Sequence, residues 1–217
     1  VEIALVPVND APVTGGNNPN TVTYPSGGGT IQANQSVTVS DVDNTTFEKA
    51  EIRIINVLDG AFEELQFTDI NGIINETSFS GGILTIEGTA SITAYQTALR
   101  EVVYVNTAAV VTQVARQLSF RVFDGLAWSN TYSNSYISFD GYNNPPVVLD
   151  EDGNSVTELF FEFDEDSAIE ICLDIQDPES DLVVINSNTL PVNGLGVVTN
   201  HPSNSLCLIY TPNDNVN

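Results

Sequence analysis

Two groups of acids and amides stand out in this 217-residue sequence for what their oxygens could bind. Asp41-x-Asp43 ends an alternating, strand-like run, so its two carboxylates face one corner. Asn9-Asp10 lies in a connector before Pro12 that would sit nearby if it enters at that end. Asp140, Asn143 and Asn144 precede Pro145-Pro146 in a second connector, and Asp177, Glu179 and Asp181 form an acidic turn in the domain that follows. Several carboxylate and carbonyl oxygens at flexible geometry are the ligand set of a hard cation, Ca2+ above all. Asp and Asn also favour turns for their own backbone hydrogen bonds, so a set of solvated turns is the competing reading.

Other chemistries find less support. Asp150-Glu151-Asp152-Gly153-Asn154 resembles the opening of an EF-hand loop, but the glycine stands at position four and position twelve is Phe161, so it reads as an exposed acidic turn. The single histidine, His201, lies beside Pro202 without a Ser or Cys partner, which leaves histidine-based nucleophilic catalysis and histidine zinc sites poorly supported. A two-carboxylate glycosidase would need a cleft that short sandwiches in series rarely make. The chain therefore reads as non-enzymatic. Asn34, Asn44 and Asn75 open glycosylation sequons, a pattern that an Asn- and Thr-rich chain also produces by chance.

Charge narrows the partners. Five basic residues against 29 acidic ones give a formal charge of −24, and none of the basic residues lies beyond Arg121. Such a surface repels phosphate backbones and anionic lipid, arguing against nucleic-acid and membrane-surface roles, and it attracts divalent cations. No apolar run is long enough to span a bilayer and no signal segment is present, so any leader or anchor is expected outside these residues.

The two cysteines sit in alternating runs. Ile169, Ile171, Leu173 and Ile175 share one face; Leu206, Leu208 and Tyr210 share another. Both Cys172 and Cys207 then point away from the core, on paired or nearby strands. With no Cys-x-x-Cys present, an external Cys172–Cys207 disulfide is the preferred reading over a redox pair, and free thiols are the alternative.

The elements that must position these groups are strands and turns almost throughout. Val1–Val8 alternates and runs into the first connector, like the last strand of a preceding domain. Residues 14–30 read as loop. Strands follow at 36–40, 50–54, 65–67, 83–86, 102–105, 117–124 and 132–139, separated by Asp59-Gly60, Asn71-Gly72 and Gly81-Gly82. One segment departs from period two: Ile92, Tyr95 and Leu99 fall on a helical face behind a capping Ser91, predicting a short helix. After the second connector, strands are predicted at 159–163, 169–175, 182–185 and 206–210. The fold class is all-β, tandem antiparallel sandwiches with a short helix inserted in the first: residues 1–13 the end of a preceding repeat plus linker, 14–141 one sandwich, and 142–217 a second, short of the seven strands such a fold needs.

Particular motifs carry a family resemblance. Val39-Ser40-Asp41-Val42-Asp43, Glu87-Gly88-Thr89-Ala90-Ser91 with Tyr95-Gln96-Thr97-Ala98-Leu99 and Val103-Tyr104, and Phe120-Arg121-Val122-Phe123-Asp124-Gly125 with Ser129-Asn130 together resemble a cadherin-like repeat of large bacterial surface proteins. Asn144-Pro145-Pro146, Glu165-Asp166-Ser167, Asp177-Pro178-Glu179-Ser180-Asp181-Leu182 and Tyr210-Thr211-Pro212 resemble a neighbouring class of bacterial Ig-like, cadherin-like repeat. The usual acidic turn of that class has Asp and Gly where this chain has Glu179 and Ser180. The resemblance implies an extracellular or cell-surface protein, structural or adhesive, with Ca2+ at its junctions and neighbouring repeats, other copies of itself, or surface glycans or proteins as partners. It also implies that Glu165 faces the far end of its domain, with Glu63-Glu64 and Asp124 doing the same, more weakly, in the first.

Two alternatives belong to other classes. Residues 1–8 could complete the sandwich of another molecule, giving a filament by donor-strand exchange. Trp128, Tyr132, Tyr136 and Tyr142 could form a carbohydrate platform, although aromatics at even spacing on a strand more often pack across neighbouring strands.

Overall fold

The computed structural model describes residues 8–16, 19–68, 75–130, 132–162, 167–186 and 196–213. The expected strand at 1–8 falls almost wholly outside the described residues, as does Glu165. Contacts divide the chain into two compact units, Val1–Asn143 and Asn144–Asn217. No helix among the described residues is long and apolar enough to cross a membrane.

In the first unit the strands are β1 (Val13–Gly15), β2 (Asn20–Thr23), β3 (Thr30–Gln32), β4 (Thr38–Ser40), β5 (Thr46–Ile54), β6 (Glu63–Gln66), β7 (Asn75–Ser80), β8 (Ile83–Ser91), β9 (Val103–Asn106), β10 (Arg116–Phe123) and β11 (Ser133–Ser138), with helix α1 (Ile92–Glu101) between β8 and β9. A six-stranded sheet in the order β2-β11-β10-β5-β8-β7 and a three-stranded sheet β3-β9-β6 share one core, while β1 pairs with β4. Every pairing is antiparallel except β2 with β11, which is parallel. The architecture is an all-β, largely antiparallel sandwich carrying one short helix.

Period-two alternation builds the core. In β10, Leu118, Phe120 and Val122 point inward while Ser119 and Arg121 point out. Opposite them, Ala50, Ile52 and Ile54 of β5 are buried, each such large aliphatic or aromatic side chain contributing about 1.5–3 kcal/mol by leaving water. Phe47 has the other parity yet is also buried; a register shift between Phe47 and Lys49 turns both Phe47 and Ala50 inward. α1 covers one edge through Tyr95, Ala98 and Leu99, and the Ser91 side chain accepts a hydrogen bond from the Ala94 N–H.

The 14–30 stretch is not simply loop. It contains β2, and it is bounded by β1 and β3. Its Gly and Asn content hides short edge pairings supplied entirely by partners far along the chain, Thr38–Ser40 for β1 and Ser135–Ser138 for β2.

In the second unit the strands are β12 (Val147–Leu149), β13 (Ser155–Val156), β14 (Ile169–Cys172), β15 (Asp174–Gln176), β16 (Gly196–Asn200) and β17 (Cys207–Pro212), in two three-stranded sheets, β13-β12-β15 and β14-β17-β16. The single strand expected over 169–175 is two strands that serve different sheets, changing over at Leu173. The strands expected at 159–163 and 182–185 do not form among the described residues; Phe160 is 89% and Leu182 90% exposed. Leu159, Val183 and Ile185 are only half-buried, and hydrophobicity alone does not make a strand.

Candidate functional site

The oxygen-rich corner of the first unit is assembled from three parts of the chain. Asp41 follows β4, and its Oδ1 accepts hydrogen bonds from the N–H groups of Asp43 (3.0 Å) and Asn44 (2.9 Å), fixing the turn that leads into β5. The connector before β1 is tied to this turn: the Asp10 N–H donates to Asp43 Oδ2 at 3.1 Å, and the Asn44 amide donates to Asn9 Oδ1 at 3.0 Å. The Asn9 amide in turn donates to Asp124 Oδ2 at 3.0 Å, from just beyond β10.

Asp124 is held by a tight turn. Its Oδ1 accepts from the N–H groups of Leu126 and Ala127, at 2.7 and 2.6 Å. Gly125 takes a φ of 103°, and a Cβ there would come within 3.0 Å of the Glu48 carboxylate, so glycine suits both the backbone and the space. Burial pushes the Asp124 carboxyl up, but the donors from Ala127, Asn9 and Leu126 outweigh it and hold the group below the ordinary carboxylate range.

One oxygen at this corner has no partner among the described residues. Asp41 Oδ2 is buried and accepts no hydrogen bond, a costly state for a carboxylate oxygen. With Asp43, Asp124 and the Asn9 side-chain carbonyl close by in the network, the donors are hard oxygens of the kind Ca2+ prefers, and the orphaned oxygen is where a cation would contribute most. The Asp41, Asp43 and Asp124 ligand oxygens do not all lie within 4.8 Å of one another. Among the described residues, the single group of three acidic, Cys or His side chains whose ligand atoms all lie within 4.8 Å is Glu170, Cys172 and Cys207. There the two sulfurs are joined to each other, leaving no thiolate for a metal.

Asp124 and Glu63 are the corrections to the far-end assignment. Asp124 sits with Asn9, at the end where the connector enters. Glu63 is 2% exposed in the core, where its Oε1 accepts from the Leu58 and Asp59 N–H groups and from Arg116 Nε. Asn44, which completes the corner, was not among the expected ligands; its place directly after Asp41-x-Asp43 was the available signal.

The remaining acids divide between the units. In the first, Asp140 is exposed and its N–H donates to Ser138 Oγ, and Asn143 is exposed too. In the second, Asn144 is 1% exposed and clasps Glu179, its N–H donating to Oε2 at 2.9 Å and its amide to Oε1 at 2.6 Å. Asp177 Oδ1 accepts from the N–H groups of Glu179 and Asp181, closing the acidic turn. Ser180, at the position where the resembling repeats have glycine, adopts a φ of 65°.

The disulfide links Cys172 of β14 to Cys207 of β17, which are register partners. Only one of the two faces outward: Cys172 is exposed while Cys207 is 1% exposed, against the expectation that both point away from the core. Within β17, Cys207 alone is fully buried, while Leu208, Ile209 and Tyr210, paired with both β14 and β16, are half-covered.

Two surface expectations change. Asn34 is fully buried and its amide donates to Ser133 Oγ, so its sequon is closed to a glycan. Trp128 is not an open platform, because the Arg121 guanidinium lies 4.1 Å from its ring centre and Phe123 packs 5.2 Å away. Tyr142 packs against Tyr24 and Phe139.

No family model matches the chain, and no curated protein is significantly similar to it. Among solved structures, a chimeric titin Z1Z2 functionalized with a KLER exogenous peptide from decorin is similar at 11% identity and a TM-score of 0.28, over 94% of this chain and 83% of that one. The all-β class follows from the chain's own sheets and register.

Proposed function

We propose that this chain is a non-enzymatic spacer segment of a secreted, cell-surface adhesion protein, of the cadherin-like kind, whose connector is stiffened by Ca2+. The observation that carries this reading is the buried, unpartnered Asp41 Oδ2 in a corner where the connector residues Asn9 and Asp10 already bond to Asp43, Asn44 and Asp124. Asp41, Asp43 and Asp124, whose ligand oxygens do not all lie within 4.8 Å of one another, would draw together to hold the ion, with Asn9 supplying a neutral oxygen. Bound there, Ca2+ would offset the repulsion of three carboxylates at one corner of a chain of formal charge −24. The chain's own part is to fix the connector: Asn9 bridges Asp124 to Asn44, and Asp10 locks onto the Asp41–Asp43 turn. A ligand that binds the ordered corner stabilises it by mass action, about 2.7 kcal/mol at a hundredfold excess over Kd.

The test is thermal unfolding of the 217-residue chain in Ca2+ and in EDTA. Calcium is expected to raise the melting temperature, and Asp41→Asn and Asp124→Asn to remove most of that rise. An unchanged melting temperature in excess Ca2+, or a rise that both variants retain, overturns the proposal.

A further inference from the structure

We infer that the outer face of the six-stranded sheet carries a binding site for a carboxylated sugar, centred on Arg53. Four of the five basic residues are already engaged. Arg116 is buried with Asp59 and Glu63, Lys49 pairs with Glu87, and the Arg100 Nε donates to the Val37 carbonyl. Arg121 pairs with Glu51 and lies over Trp128. Arg53 is exposed and makes no ion pair or hydrogen bond with any described residue. In a chain of charge −24 that is an unspent guanidinium, and it sits in a cavity.

Sheet register makes the cavity. Arg53 of β5 stands opposite Ser119 of β10, and Ser119 stands opposite Asn134 of β11. The short Ser119 side chain leaves a depression between Arg53 and Asn134, walled by Arg121 with Glu51 and by Tyr132. Its volume is about 480 Å3, within the range of small-ligand clefts. Tyr132, 48% exposed, offers an aromatic face for the C–H side of a sugar ring. Ser119 offers a hydroxyl to a ring hydroxyl. Arg53 presents a planar fork of donors that matches a carboxylate bidentately. Since Glu51 neutralises Arg121, the site has one net positive charge to offer, suited to one carboxylate per bound unit and not to a polyanion such as nucleic acid.

The site is separate from the oxygen-rich corner, so the test is run in EDTA and is indifferent to the calcium reading. Digalacturonate and the neutral α-1,4-galactobiose are titrated into the full chain, read by calorimetry and by amide chemical shifts. Digalacturonate is expected to bind at least tenfold more tightly than galactobiose and to shift Ser119 and Asn134. Arg53→Gln should abolish that preference, Arg53→Lys should restore part of it, and Tyr132→Ala should weaken both sugars. Absence of digalacturonate binding, equal binding of the two sugars, or full retention in Arg53→Gln overturns the inference. So does a tetraglutamate peptide that competes at Arg53 as tightly as the sugar, which would make this a site for acidic protein segments instead.

Discussion

Arg116 Nε donates to Glu63 Oε1 at 2.9 Å with both side chains wholly removed from solvent. The same guanidinium reaches Asp59 Oδ2 at 2.7 Å, bonds the carbonyls of Thr112 and Val114, and lies 4.9 Å from the centre of the Phe139 ring. It joins the start of β10 to the start of β6 and to the loop before it. The arrangement satisfies the arginine but leaves Glu63 Oε2 buried without a partner among the described residues.

Breaking a buried pair strands the charge left behind, at a cost of about 3–5 kcal/mol. Arg116→Met is therefore expected to destabilise the first unit by that order in urea unfolding. Adding Glu63→Gln should recover part of the loss, because the uncompensated carboxylate is then gone. A single variant that unfolds at the wild-type midpoint would contradict the buried pair.

Acid should act on two carboxylates. Asp59 is pushed up by burial, but hydrogen bonds from Thr112 and Asn106 together with the Arg116 charge pull it below the ordinary range, and Asp124 is lowered as well. A depressed folded-state pKa means the unfolded chain binds the proton more readily. The stabilisation is thus complete above the unfolded value, near 3.9, and is lost as pH falls through the lower folded values. The melting temperature is expected to fall steeply below about pH 4, and Asp59→Asn or Asp124→Asn should flatten that slope. A profile flat down to pH 2 would count against both.

Ser180 holds a left-handed conformation that favours glycine, in a turn closed by its N–H to the Asp177 carbonyl at 2.9 Å. Ser180→Gly removes the Cβ strain and is expected to stabilise the second unit by roughly 0.5–1 kcal/mol, after the entropy glycine adds to the unfolded chain. Chemical denaturation of the two proteins side by side measures it; a destabilised variant refutes the strain.

The disulfide closes a sequence separation of 35 residues in a unit where Cys207 is the one fully buried hydrophobic side chain among the described residues. On the chain-entropy account a closure of that length contributes about 3–4 kcal/mol. Reduction, or the paired change Cys172→Ala with Cys207→Ala, should lower the unfolding midpoint of the second unit and leave that of the first unchanged. Equal midpoints with and without reductant would show that packing alone suffices.

Period-two alternation through Ala50-Ile52-Ile54 and Leu118-Phe120-Val122, and the helical spacing of Ile92, Tyr95 and Leu99 behind Ser91, were legible because each signal lies within one element and reflects which face must leave water. Asp41-x-Asp43 was legible for the same reason, as a local turn that folds its own N–H groups onto Asp41. What the sequence could not say is which distant groups complete these local pieces. Asn9 meets Asp124 across 115 residues, and Arg116 meets Glu63 across 53, far beyond the reach of any spacing rule. Apolar runs at 159–163 and 182–185 looked like strands, but a strand exists only where a second strand and a facing layer accept it. Sequence determined most of the faces, Cys207 excepted; tertiary structure alone decided the partners, because hydrogen bonds and burial are satisfied between elements and not along them.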